Sequence, residues 1–280
     1  MPFISEMNSS DGLIACDLSP EKGRDLCRAY NSAEPYPHIV IEDFLPPAVL
    51  DRCLAEFPGQ TAIPETSFNR AQERLKMTFN PDTLGSFARH LFYSFNSKPF
   101  ICVLENITGI NGLIPDPYFM GAGFHQILSG GHLSVHSDFN HHKPMNLERR
   151  INVLIYLNKD WRAEYGGQLE LWPEDMTRCF KSVVPTFNRC VIFNTTSNSN
   201  HGNPQPINHP EGVPRRSMAL YYYTSTWGAE KHEHTTHFQV RPGTADKSDW
   251  RVKAVETLHD LTPPILLRKV RQLKSGSISR

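Results

Sequence analysis

The apolar positions of this chain change period near residue 117. Before that point they recur at helical spacing, and after it they form short runs broken by Gly, Pro and Asn. Residues 1–35 are polar and weakly patterned, so they are expected to add little to a core. Residues 37–44 read as a strand. Pro46 and Pro47 then open a helix, as prolines do in a first turn, with Leu50, Cys53, Leu54 and Phe57 on its apolar face and Pro58-Gly59 as its stop. A second helix is predicted over residues 82–95, burying Leu84, Phe87, Leu91 and Phe95. A third follows Ser97, with Phe100, Val103, Leu104 and Ile107 on one face and Gly109 at its end. These helices are expected to pack on one face of a sheet.

Strands are predicted at residues 123–128, 133–138, 150–157, 168–171, 182–184, 190–193 and 215–223, the spacing of an all-β sandwich or barrel. Parity is informative between residues 151 and 157. The odd positions Ile151, Val153, Ile155 and Leu157 are aliphatic, while the even ones hold Asn152, Leu154 and Tyr156. A strand that is mostly apolar on both faces is covered on both sides. The aliphatic face is expected to meet the helices, and the face with polar tips to look into a site. After Thr224 the chain turns polar, and His232, His234 and His237 read as an exposed His-rich loop. A last helix is predicted after Pro263-Pro264, with Leu266, Val270 and Leu273 as its stripe.

Composition narrows the class. A chain of 280 residues is long enough for a substantial core, and 29 acidic against 29 basic residues leave no net field to attract nucleic acid or an anionic membrane. Six scattered cysteines without a Cys-x-x-Cys pair read as reduced thiols, and no secretory signal or membrane span is evident, so a cytoplasmic protein is expected. The 22 prolines and 10% aromatics suit a loop-rich β protein with helical buttresses.

The candidate chemistry starts in the run Gly130-Gly131-His132-Leu133-Ser134-Val135-His136-Ser137-Asp138. In an extended strand His136 and Asp138 point to the same side, which supplies two of the three ligands of a 2-His-1-carboxylate iron site. His201, after the strand at residues 190–193, is the candidate third ligand. Arg215 and Ser217 share a strand face and together make a carboxylate receptor, because guanidinium–carboxylate bonds are bidentate and charge-assisted and the hydroxyl adds a donor. Tyr156 offers a further phenolic donor, and Asn152 lies on the same polar face. Arg216 groups by parity with Met218 and Leu220 and is expected to face away. His132 lies four residues, about 13 Å, from His136 and cannot share its metal. His125 suits either the barrel mouth or the core, and His141 and His142 lie in a loop at residues 139–148.

The run Arg150-Ile151-Asn152-Val153-Leu154-Ile155-Tyr156-Leu157-Asn158-Lys159-Asp160-Trp161, followed by Gly166-Gly167-Gln168-Leu169-Glu170-Leu171, resembles the core of the prolyl-hydroxylase branch of the Fe(II)/2-oxoglutarate dioxygenases. Residues 185–193 resemble the stretch that precedes the distal histidine in the hypoxia-factor prolyl hydroxylases, and the likeness spans about residues 118–224. It implies a mainly β fold with α, a double-stranded β-helix (jelly-roll, cupin-like) core. Residues 1–116 would supply supporting helices, 117–228 the catalytic core and 229–280 a C-terminal loop and helix, all within one catalytic domain.

By position, His136, Asp138 and His201 match the iron ligands, Arg215 the arginine that grips the 2-oxoglutarate C5 carboxylate, and Tyr156 a tyrosine on the same carboxylate. Ile127 stands where many relatives carry a tyrosine, and Gln126 is the expected substitute on that side. The longer His201–Arg215 connection is a second departure.

The resemblance implies hydroxylation of an unactivated C–H bond of a peptidyl, prolyl-like residue or of a free amino acid or related small metabolite. Fe(II), 2-oxoglutarate and O2 would be consumed or used, ascorbate would support turnover, and succinate and CO2 would be released. Asp138 favours hydroxylation, since halogenating relatives replace that carboxylate. Two other readings stay open: a cupin-like metalloenzyme of another reaction class, which has no need of the Arg215/Ser217 pair, and a non-catalytic barrel that only binds. A peptide or small-molecule substrate is the expected partner, with neither nucleic acid nor membrane.

Overall fold

The computed structural model describes residues 1–15, 20–59, 62–228 and 231–247. Ahead of the barrel lie helix α1 (Arg24–Asn31), strand β1 (His38–Ile41), helix α2 (Pro47–Ala55), strands β2 (Thr66–Phe68) and β3 (Glu73–Phe79), and helices α3 (Ser86–Phe95) and α4 (Lys98–Thr108). The barrel strands are β4 (Ile114–Pro115), β5 (Gly123–Ser137), β6 (His141–His142), β7 (Leu147–Tyr156), β8 (Leu169–Trp172), β9 (Lys181–Val183), β10 (Cys190–Asn194), β11 (Asn200–Asn203), β12 (Arg215–Thr224) and β13 (His237–Phe238). The spatial order is β1-β10-β7-β12-β5-β11-β8-β9, and every pairing between these strands is antiparallel. This mainly antiparallel sheet curls on itself as a double-stranded β-helix with helices against one face.

β5 is the element that lets one sheet become two layers. Its first half pairs with β12 and its second half with β11. The sequence predicts two strands here, but the structure has one of 15 residues, bent at Gly130-Gly131. Gly130 sits at φ 78°, a left-handed conformation that glycine adopts without a steric cost. At Gly131 a Cβ would lie 2.6 Å from the Arg74 carbonyl oxygen, so the missing side chain is what allows β3 to come alongside.

The aliphatic face of β7 meets the helices as its parity predicts. Ile151, Val153, Ile155 and Leu157 share one cluster with Leu91, Phe95, Phe100, Val103 and Ile107. Each such fully buried side chain contributes about 1.5–3 kcal/mol. Within the cluster Phe100 packs edge-on to Phe44, 6.2 Å between centroids, and beside Phe95 at 4.9 Å. α2 starts on a proline, and α4 ends at Gly109 in the left-handed conformation, as their signals predict.

Three expectations change. The N-terminal segment is part of the core: Ile4 and Tyr30 are fully buried, and the amides of Phe3 and Ile4 bond to the carbonyls of Asp43 and Phe44. Single apolar residues carried on paired backbone do this work, so no periodic face announces it. β2 and β3, between the first two predicted helices, have no counterpart in the sequence reading. The His-rich run is not simply an exposed loop, because it leads into β13, where Phe238 is buried and pairs with His136. The helix predicted after Pro263-Pro264 lies outside the described residues. No helix among the described residues is long and apolar enough to cross a membrane.

Candidate active site

His136 and His201 face each other across the β5–β11 ladder, and directly paired residues project to the same side. Their ring centroids are 4.5 Å apart. Asp138, one residue beyond the end of β5, turns its carboxylate between them, with Oδ1 3.5 Å from His136 Nε2 and Oδ2 3.4 Å from His201 Nε2. One ligand atom from each of the three residues lies within 4.8 Å of the others.

The backbone sets the imidazole tautomers. His136 Nδ1 is 2.9 Å from the Ser134 carbonyl oxygen and His201 Nδ1 is 3.1 Å from that of Ser199. A carbonyl only accepts, so each Nδ1 carries the hydrogen and each Nε2 presents its lone pair to the shared space. Burial lowers the His201 pKa to about 4 against the opposing pull of Asp138, which keeps that ring neutral. Burial alone would raise the Asp138 carboxyl. The Arg149 guanidinium, then His201 and His136, instead hold it well below the usual range. Two imidazoles and one carboxylate form a donor set that could hold a ferrous ion on one face.

The other end of the same cavity is built by β12, β7 and the first half of β5. Arg215 lies opposite Ile127, and Ser217 opposite both His125 and Tyr156, so these side chains line one floor. The Arg215 guanidinium is buried. Its Nε donates to the Gly167 carbonyl at 2.7 Å and its Nη2 to the Tyr156 hydroxyl at 3.4 Å. Gly167 is at φ 72°, and a Cβ there would lie 2.9 Å from Arg215 Cδ, so the Gly-Gly turn is what seats this arginine. Among the described residues no carboxylate comes within ion-pair distance of Arg215; a buried guanidinium so placed could hold an incoming carboxylate. Leu133, Leu154 and Leu169 supply apolar walls between the two ends.

The structure does not bring Gln126 to this cavity. It sits on the opposite face of β5 from His125 and Ile127, where its Oε1 accepts from Arg216 Nε at 3.2 Å. Arg216 faces away, as its parity predicts, with its guanidinium 4.8 Å from the Phe57 ring. His132 bonds instead to the Ala71 carbonyl. His125 lines the cavity, its Nε2 bonded to the Gly121 carbonyl, and burial together with Lys76 lowers its pKa to about 3. His142 is buried and pairs with Asp116 at 3.2 Å, while His141 stacks on Trp227 at 4.1 Å. Both brace the 139–148 loop.

Two residues of the cavity wall, Lys76 and Asn203, and one behind Asp138, Arg149, are not singled out by the strand pattern. Arg149 reaches Asp138 Oδ2 at 3.0 Å. Lys76, from the unread strand β3, lines the wall beside His125. Asn203, two residues after His201, is buried with its amide nitrogen unpartnered among the described residues. The spacing of Asn203 from His201 was the one available signal among them.

Residues 122–223 match the family described as the 2OG-Fe(II) oxygenase superfamily. "Prolyl 3,4-dihydroxylase OGFOD1" of Ostreococcus tauri is 24% identical over 233 residues, 76% of this chain and 41% of that protein. The chain thus spans about two fifths of that relative's length. A prolyl hydroxylase of Trichoplax adhaerens, solved with a peptide fragment of the hypoxia inducible factor oxygen degradation domain, has a TM-score of 0.56 at 16% identity, covering 76% of this chain and 94% of that one. A Pseudomonas putida prolyl-4-hydroxylase has a TM-score of 0.47 at 16% identity, covering 71% and 98%. The matched stretch is thus similar to 2OG-Fe(II) oxygenases, a family described by its use of Fe(II) and 2-oxoglutarate, and its fold is that of a prolyl hydroxylase.

Proposed function

We propose that this protein is a ferrous- and 2-oxoglutarate-dependent hydroxylase acting on a prolyl residue of a peptide or protein. The observation that carries the reading is the pairing, in one cavity, of a His136/Asp138/His201 cluster with a buried guanidinium, Arg215, that among the described residues has no carboxylate of its own. A cupin-like enzyme of another class has no use for that second feature. The prolyl substrate rests on the kinship with prolyl hydroxylases, one of them solved with a peptide.

In this reading His136, Asp138 and His201 hold the metal through two Nε2 atoms and a carboxylate oxygen. Arg215 pairs with the distal carboxylate of 2-oxoglutarate, and Tyr156 and Ser217 add hydroxyl donors. Iron and 2-oxoglutarate held by these residues would supply the oxidising power for placing one atom of O2 on a C–H carbon, the keto acid leaving as succinate and CO2. Ile127, Leu133, Leu154 and Leu169 line the space between the charged ends and exclude water, which strengthens the Arg215–carboxylate pair.

The test has two stages. Anaerobic Fe(II) and 2-oxoglutarate should together produce the weak visible metal-to-ligand charge-transfer band, absent with either alone. Proline-containing peptides should then gain one oxygen atom by mass, with stoichiometric succinate. Absence of the band from folded protein overturns the cofactor reading. A band without turnover of any prolyl peptide, but with turnover of free amino acids or related metabolites, overturns the substrate.

A further inference from the structure

The two oxygens of Asp138 stand in different surroundings. Oδ2 receives a hydrogen bond from Asn152 Nδ2 at 2.8 Å and faces Arg149 Nη2 at 3.0 Å. Arg149 also donates from Nε and Nη2 to Asn152 Oδ1, at 3.1 and 2.7 Å. The three side chains therefore close a ring, with the guanidinium bridging the amide and the carboxylate. The guanidinium lies 3.6 Å from the Tyr221 ring centroid and 4.4 Å from that of Phe139, so aromatic faces hold it in place. Among the described residues Oδ1 has no amide or guanidinium donor. Its neighbour is His136 Nε2 at 3.5 Å, while Oδ2 besides its two donors also faces His201 Nε2 at 3.4 Å.

Arg149 arrives here through a fault in β7. Tyr222 of β12 pairs with Ile151, but the next residue, Tyr223, pairs with Arg149, so β7 carries an extra residue at Arg150. Such a bulge reverses the parity of everything before it and re-aims the side chain. Without it, Arg149 would fall on the aliphatic face with Ile151 and Val153. With it, a charged side chain is buried beside the candidate ligand, at a desolvation cost that a fixed partner must offset.

We infer that Arg149 is a positioning residue. Together with Asn152 it occupies Asp138 Oδ2 and so restricts that carboxylate to single-oxygen ligation through Oδ1. A carboxylate free to chelate would take a coordination position that a bidentate keto acid needs. Arg149 acts through Asp138 and touches neither metal nor co-substrate. The inference rests on the proposed function and deepens it.

The experiment separates metal affinity from 2-oxoglutarate affinity. Wild type, Arg149→Gln and Arg149→Lys are titrated with Mn(II) and then, metal-loaded, with 2-oxoglutarate, each by calorimetry. Arg149→Gln should bind Mn(II) within about threefold of wild type while losing at least tenfold in 2-oxoglutarate affinity. Arg149→Lys keeps the charge but cannot bridge both partners, and should fall between. X-ray absorption of the Mn(II)-loaded variant should show the carboxylate change from one to two bound oxygens. A merely structural role would weaken both affinities together or neither. Should Arg149→Gln fail to fold, Arg149→Lys decides. Folded variants with wild-type 2-oxoglutarate affinity, or with parallel losses of metal and keto acid, overturn the inference. Failure of wild type itself to take up 2-oxoglutarate would instead overturn the proposed function.

Discussion

Two arginines, one at each end of the cavity, invite comparison. Arg149 and Arg215 are both buried, and both carry a charge that burial penalises. At Arg149 burial is the largest single influence, but Asp138 together with Tyr221 and Tyr223 more than offsets it and raises the pKa of the guanidinium. At Arg215 burial dominates and lowers it, with only the Tyr156 phenol pulling the other way. One end is electrostatically complete among the described residues, and the other is incomplete there, which under the proposed function an incoming carboxylate remedies. Stability and ligand affinity should therefore respond in opposite ways at the two ends.

The largest effect should come from breaking the complete end. Asp138→Ala should abolish metal binding. Because it leaves Arg149 buried and unpaired, it should also destabilise the metal-free protein by about 3–5 kcal/mol in urea unfolding. At the incomplete end, Arg215→Met should weaken 2-oxoglutarate binding by roughly 100-fold, about 3 kcal/mol by calorimetry, since hydrogen bonds to charged groups are each worth about 1.5–3 kcal/mol. The same substitution should leave metal affinity intact and metal-free stability unchanged or higher, because an uncompensated buried charge has been removed. A loss of stability at Arg215→Met as large as at Asp138→Ala would erase the contrast.

A smaller effect sharpens the incomplete end through pH. With its pKa lowered to about 3, His125 stays neutral in the folded chain at pH values where the unfolded chain protonates it. Its contribution is present above about pH 6.5 and is lost as the pH falls toward 3. His125→Asn should therefore show a flatter fall in unfolding free energy between pH 7 and pH 4 than wild type, and parallel curves would sink the point. Smallest of all should be Gln126→Ala, which faces Arg216 on the outer side and should leave 2-oxoglutarate affinity within about twofold by the same calorimetry.

What the sequence disclosed follows the regularity of the strands. Between residues 151 and 157 and along β12 the period of two is unbroken, so Asn152, Tyr156, Arg215 and Ser217 could be assigned a face, and His136, Asp138 and His201 could be grouped by the chemistry of their side chains. Where the period breaks, legibility ends. Arg149 sits one residue beyond a bulge that inverts its parity. β3 is interrupted at Leu75, which has φ 52°, and its pairing with β5 slips between Arg74 and Lys76, so Glu73–Phe79 shows no clean alternation. Gln126 neighbours Ile127 in sequence, but strand parity turns it to the opposite face, toward Arg216. Ile4 and Ile14 enter the core as isolated side chains, which no window of hydropathy detects.

β13 bears on where this catalytic unit can be cut. The family match closes at residue 223, yet Phe238 lies against the His136 ring at 5.5 Å, and His234 reaches Ser197, four residues ahead of His201. A fragment trimmed to residues 122–223 would strip the flank from one histidine and loosen the approach to the other. Anyone isolating the smallest working piece should carry the polypeptide through Phe238.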